Sequence, residues 1–240
     1  MEQDAQEPHG LFILYPSEGF GKDVDLEADI IAVHGLNGEA KKTWTDRQSG
    51  KLWLEDFLPS AMPKTRIMTF GYDCGLAFSK SRSGIENFAQ DLLDRLRVVR
   101  QGSEAARRPI VFIAHSLGGI VVKKALVLAH EAQDFYRDIL HSTKGIVFMG
   151  TPHRGSDVVP WTLLLTNLIN AASLGQAFRK SLLKTLDRDS AVLSEISRQF
   201  VHRSSLLKIR SCIEQKVERP LTTLVVPECS AVLNRLTSMD

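Results

Sequence analysis

The sequence predicts an α/β fold, a mostly parallel β-sheet covered by helices on both faces. Three observations carry this. Short runs rich in Ile, Val and Phe alternate with segments whose apolar residues recur every three to four positions. Those runs have continuous apolar stretches instead of apolar–polar alternation, as strands buried on both faces of a parallel sheet require. With 240 residues, 43% of them hydrophobic and 24% charged, the chain has the size and composition of one soluble domain with a sizeable core.

Residues 1–10 (MEQDAQEPHG) read as a loose acidic tail and 11–240 as a single domain. LFILY at 11–15 is a short strand, closed by Pro16 and the GFGKD turn at 19–23. ADIIAVHG (28–35) and KTRIMTFGY (64–72) are two more strands, and WLEDFLP (53–59) between them fits a short helix stopped by Pro59. Ser83 and Glu86 make a capping box for a helix on which Ile85, Phe88, Ala89, Leu92, Leu93, Leu96 and Val99 share one face. PIVFIA (109–114) is a strand, GGIVVKKALVLAHEA (118–132) a helix and KGIVFMG (144–150) a strand. Residues 157–202 read as helical throughout, an insertion ahead of two closing strands, SLLKIRSCI (205–213) and LTTLVVP (221–227).

Composition narrows the function. Thirty basic and twenty-eight acidic residues are interspersed, and a net charge of +2 gives no electrostatic reason to expect nucleic acid as a partner. The pairs Lys41-Lys42, Arg107-Arg108 and Lys123-Lys124 read as solvated faces. Cys74, Cys212 and Cys229 form no CxxC or metal-type cluster and are expected to be small buried hydrophobes in a reducing compartment. The N-terminus has neither a secretory nor an Arg-rich transit pattern, so an intracellular, cytoplasmic location is expected. WTLLLTNLINAASL (161–174), with two Asn and two Thr in fourteen residues, is too short and polar to span a bilayer.

The chemistry concentrates in AHSLGG, residues 114–119. Ser116 stands between a strand and a helix, at the carboxyl end of the strand, where α/β sheets place their sites. A sharp strand–turn–helix elbow exposes a serine hydroxyl only if the residues two positions away are nearly free of side chains, which gives GxSxG. Gly118 satisfies the downstream side, and Ala114 departs from the upstream glycine by one methyl group. The helix beyond supplies free backbone N–H groups and positive potential, both suited to an oxyanion. Leu117 N–H is the expected first donor, and Leu36 N–H, from the loop in VHGLNG (33–38), the second.

A third motif, GIVFMGTPHRGSD at 145–157, completes a pattern. Together, HGLNG, AHSLGGIVVKKAL and FMGTPHRGSD resemble the serine esterase/lipase-like α/β-hydrolase family. That family includes the serine-active-site-containing proteins, lipase-like yeast proteins and the N-terminal hydrolase domains of fungal NACHT- or ankyrin-bearing proteins. The resemblance covers about residues 10–233. It implies an α/β-hydrolase fold and acyl chemistry on an ester or lipid, with no metal or cofactor. For some members it also implies association with mitochondrial or endoplasmic-reticulum membranes.

A triad in the order serine, acid, histidine is expected. Glu214, after strand 205–213, is the candidate acid and Asp157 the alternative, each also readable as a solvated carboxylate. The histidine is where this sequence departs. The family's base lies beyond the final strand, in a loop following a segment like Ser230-Ala231-Val232-Leu233. This chain diverges at Asn234 and has no histidine between His202 and Asp240, as though shortened there. His202 precedes Glu214, the wrong order. His153 matches a motif histidine and is expected to brace its loop by hydrogen bonds; His34, Gly35 and His115 are expected to position the oxyanion elements. Two functions follow: a serine hydrolase forming an acyl-serine, or a hydrolase-like binding or signalling module with impaired turnover. The 157–202 insertion sits where a lid would, and its apolar face either lines an acyl pocket, meets a membrane surface peripherally, or simply covers the sheet.

Overall fold

Ile, Val and Phe dominate the central strands because a strand inside a two-faced sheet meets apolar atoms on either side. The computed structural model describes residues 9–16, 25–73, 84–153, 166–167, 191–215, 226, 231 and 233. Within them, β1 (Gly10–Tyr15), β2 (Ala28–Val33), β3 (Thr65–Gly71), β4 (Ile110–His115), β5 (Thr143–Met149) and β6 (Lys208–Cys212) form one sheet in the order β1-β3-β2-β4-β5-β6. The edge strand β1 pairs antiparallel with β3, and every other pairing is parallel. This is the predicted α/β-hydrolase architecture.

Residues on each strand divide between two cores with period two. Ile31, Val33, Met68, Phe70, Phe112, Ala114, Ile146 and Phe148 face one side. They are covered by α3 (Gly84–Val99), α5 (Gly118–Glu131), α6 (Gln133–Ser142) and α7 (191–203). Ile30, Ala32, Ile67 and Ile113 face the other, under Trp44, Leu52 and Leu54. Each Val, Leu, Ile, Met or Phe among them contributes about 1.5–3 kcal/mol of transfer free energy.

Several local expectations change. The 53–59 segment is two short helices, α1 (Trp53–Asp56) and α2 (Leu58–Ala61), and Pro59 lies in the first turn of α2 instead of ending a helix. A proline is tolerated there because first-turn N–H groups have no intrahelical acceptor. The strand expected over 205–213 is confined to β6, because residues 204–207 turn, with the Leu207 N–H donating to the Ser204 carbonyl. Two helices went unread: α4 (Ser103–Arg107), of five residues, and α6, which buries little beyond Tyr136 and Ile139. Of the 157–202 insertion, 166–167 and 191–202 are described and helical; the rest, with Asp157, Ser83, Cys74, Cys229 and most of the strand expected at 221–227, lies outside the described residues.

Three readings of side chains are overturned. Lys123 is 0% exposed: α5 is apolar nearly all round and α7 closes over it, so one member of the Lys123-Lys124 pair is sealed inside. Arg108 is no solvated residue either. With Arg66 and Arg100 it donates to the fully buried carboxylate of Asp29, at 3.1 Å from Arg108 and 2.8 Å from Arg66. Cys212 is exposed, not buried, because β6 is an edge of the described sheet.

Parallel strands share their polarity, so everything that follows β2, β3, β4, β5 and β6 emerges on one edge. Val33 is level with Phe70 and Ala114, Ala114 with Phe148, and Phe148 with Ser211. Strand order also reverses here, since β2 is flanked by β3 on one side and β4 on the other. Such a switch point opens a crevice between the two diverging connections.

Candidate active site

Ser116 leaves β4 and enters α5 with φ of 51°, in the left-handed region. Among the described residues, the only other non-glycine with positive φ is Asn37 (54°), in the loop after β2. Both stand at the switch point. Such conformations cost on the order of 1–3 kcal/mol and persist where surroundings enforce them.

The surroundings do enforce the elbow. Ser116 N–H donates to the Met149 carbonyl (2.9 Å), and Gly119 N–H donates to the Ser116 carbonyl (3.1 Å). The turn is pressed between two neighbouring loops. A Cβ on Gly118 would stand 2.4 Å from the Val33 carbonyl oxygen and 2.3 Å from that of His34, both immovable backbone. A Cβ on Gly119 would stand 2.3 Å from the Thr151 side chain. The glycine requirement at 118 therefore comes from the adjacent strand, as well as from the turn itself. Ala114, the departure from GxSxG, is fully buried in the core.

Ser116 is 6% exposed, and its hydroxyl makes no hydrogen bond among the described residues. Residues 35–38 form a turn closed by Gly38 N–H donating to the Gly35 carbonyl (3.1 Å). Neither the Leu36 nor the Leu117 amide donates to any described acceptor. Leu117 is the residue just before the 14-residue α5, and Leu36 is half-buried against the core.

His34 orders the loop that carries Leu36. Tyr72 N–H donates to His34 Nε2 (3.2 Å), so that nitrogen is an acceptor and the proton sits on Nδ1, which lies 2.9 Å from the Gly35 carbonyl oxygen. Tyr72 stacks on the ring at 4.4 Å and donates its hydroxyl to the His34 carbonyl (2.9 Å). Burial holds His34 neutral, with its pKa pushed down to about 4. His115 is exposed and meets the edge of Trp44, with ring centroids 6.4 Å apart.

His153 emerges from the loop after β5 and does not act as expected. Its ring is 2% exposed, both nitrogens lack hydrogen-bond partners among the described residues, and it packs edge-on against Phe148 at 4.6 Å. Burial and, secondarily, the charge of nearby Lys123 push its pKa down to about 2. It braces its loop by packing, not by hydrogen bonds. Two neighbours the motif reading passed over do the polar work. The Thr151 hydroxyl lies 3.0 Å from the Ser116 carbonyl oxygen and 3.4 Å from that of Ala114. Lys123 Nζ reaches the Pro152 carbonyl (3.4 Å) and Ser197 Oγ on α7 (3.2 Å), with burial drawing its pKa to about 7. Thr151 was legible as part of the TPHRG motif; Lys123 carried no signal.

Glu214 follows β6 on the same edge, two strands from β4, about 10 Å laterally at ordinary strand spacing. Its Oε2 accepts from Val226 N–H (3.4 Å). His202 is at the opposite end. It is exposed near the end of α7, shortly before β6 begins at its amino end, and Arg203 beside it approaches His130. His130 lies about 18 Å along α5 from Gly118 at 1.5 Å per residue, so His202 is remote from Ser116. No described group of three or more His, Cys, Asp or Glu is placed to hold a metal ion. Among the described residues, no helix is long and apolar enough to cross a membrane.

Residues 29–199 match the family described as "Putative serine esterase (DUF676)". Protein SERAC1 of Danio rerio is 28% identical over 247 residues, covering 93% of this chain and 36% of that protein. Protein SERAC1 of Homo sapiens is 27% identical over 212 residues, covering 80% and 30%. The chain thus spans about a third of the length of these relatives. Among solved structures, the mature lipase BlEst2 of Bacillus licheniformis aligns over 80% of this chain and 69% of its own, at 20% identity and a TM-score of 0.46. Esterase B of Lactobacillus rhamnosis aligns over 87% and 66%, at 13% identity and a TM-score of 0.44.

Proposed function

The chain belongs to the DUF676 serine esterase family, and on that premise we propose that it is a serine hydrolase that cleaves an ester through an acyl-serine on Ser116. One observation carries the reading: a serine held at φ 51° between β4 and α5, beside two amides that donate to no described group. In the reaction, the Ser116 oxygen bonds to the ester carbonyl carbon and loses its proton. The carbonyl oxygen takes the negative charge under the Leu36 and Leu117 N–H groups. The C–O bond to the alcohol then breaks, and the alcohol leaves with a proton. Water reverses the sequence and releases the acid. Glu214 is the orienting acid in this reading, residues 11–240 are one hydrolase domain, and the apolar 161–174 stretch favours an ester with an apolar acyl chain.

The base is what sets turnover. Both His34 nitrogens are engaged, His153 is sealed and held neutral, and no described histidine hydrogen-bonds Ser116. That observation favours a second reading, an acylatable site retained in a binding or signalling module with slow deacylation. A fluorophosphonate probe and a p-nitrophenyl ester separate the two. Labelling and steady turnover, both lost in Ser116→Ala, support the enzyme. Labelling with turnover near the uncatalysed rate supports the module. A folded wild type that resists the probe sinks the hydrolase and leaves the binding or signalling module.

A further inference from the structure

We propose that Thr151 is a positioning residue for this reaction, acting through its hydroxyl on the Ser116 carbonyl; the inference rests on the acyl-serine reading above. A left-handed serine at a strand–helix junction turns its peptide plane away from the β4 ladder, so its carbonyl needs a partner of its own. It has two: Gly119 N–H from within the turn (3.1 Å) and Thr151 Oγ1 from the neighbouring loop (3.0 Å). Only the second links the elbow to another element. Thr151 is 1% exposed and its side chain occupies the space that a Cβ on Gly119 would fill. Hydroxyl and methyl therefore serve different ends, the first orienting the Ser116 peptide and the second seating the loop on the first turn of α5.

The loop is itself held. Gly150 N–H donates to the Cys212 carbonyl (2.9 Å) on one side of Thr151. On the other, Lys123 Nζ grips the Pro152 carbonyl and Ser197 Oγ, tying the loop to α5 and α7. A hydroxyl mounted on so constrained a loop fixes the Ser116 peptide plane, and with it both the direction of Oγ and the Leu117 N–H that shares that plane. Displacements of about 1 Å at such a point cost up to about a hundredfold in rate.

Two substitutions separate the roles. Thr151→Val keeps the shape and removes the hydroxyl; Thr151→Ser keeps the hydroxyl and removes the methyl. In the full chain, fluorophosphonate labelling of Ser116 is expected to slow about tenfold or more in Thr151→Val and to stay within about threefold of wild type in Thr151→Ser. Where an ester is turned over, kcat falls in the valine variant while KM holds. Amide hydrogen exchange at Gly119, whose N–H shares the Ser116 carbonyl, reads the same bond without any chemistry: faster in Thr151→Val, unchanged in Thr151→Ser. Wild-type labelling and exchange in the valine variant, or a serine variant as impaired as valine, overturns the inference. If wild type is not labelled at all, the hydrolase reading fails separately, and the exchange pattern still decides whether Thr151 holds the elbow.

Discussion

Gly35 lies against Ser116: a Cβ added to the glycine would stand 2.6 Å from the serine Cβ and 3.0 Å from the His115 carbonyl oxygen. The loop after β2 and the elbow after β4 therefore touch through backbone on one side and a single methylene on the other. Gly35→Ala is expected to force them apart, at a cost of about 1–3 kcal/mol in stability. Because the same contact sets the separation of the Leu36 amide from Ser116, probe labelling should slow by one to two orders of magnitude, on the order expected for a 1 Å displacement. Urea midpoints and labelling rates measure the two effects. An alanine variant as stable and reactive as wild type would show that the two loops do not share a wall.

Asp29 tests the opposite edge. Its carboxylate, at the amino end of β2, receives Arg66, Arg100 and Arg108 with no exposure of its own. Asp29→Asn leaves three guanidinium groups without their counter-charge and should destabilise by about 3–5 kcal/mol. The site lies a strand length away, about 20 Å at 3.3 Å per residue, so folded Asp29→Asn protein should label at the wild-type rate. Loss of labelling in protein shown to be folded would mean that the two edges are coupled.

Acid should weaken the fold in a defined window. His34 and His153 have folded pKa values pushed down to about 4 and about 2, against 6.5 when unfolded. Their contribution is complete above pH 6.5 and declines as pH falls, because the unfolded chain binds protons that the folded one refuses. Between about pH 6 and pH 4 the pair adds a slope of about 3 kcal/mol per pH unit, falling below pH 4 once His34 protonates in place. His153→Leu should remove half of that slope. It should cost little at pH 8, since the ring makes no hydrogen bond there. Denaturant titrations from pH 4 to 8 check this, and an unchanged slope in the leucine variant would mean that the ring is not buried neutral.

Residues 33–38 and 114–119 were legible because their constraints are local and steric: a left-handed residue, a helix start and small neighbours leave a signature in consecutive letters. Pro59 misled because proline ends one helix and begins another equally well. The Asp29 cluster was illegible because its three arginines stand 37 to 79 positions from Asp29, brought to it by the register of β2 with β3 and β4 and by the end of α3, where Arg100 lies. Lys123 was illegible because a lysine beside Lys124 looks solvated until α7, about 70 residues later, packs over it.

By itself, the order of residues determined the alternation of strand and helix and the turn that bears Ser116, since apolar period and backbone sterics act over a few neighbouring residues. Tertiary structure decided which groups meet that turn. It brought Gly35, Thr151 and Glu214 to one edge, sent His202 to the other, and sealed His153 and Lys123 from water. Those outcomes depend on strand order and on which helix covers which face, and such long-range choices come from burial of the chain as a whole.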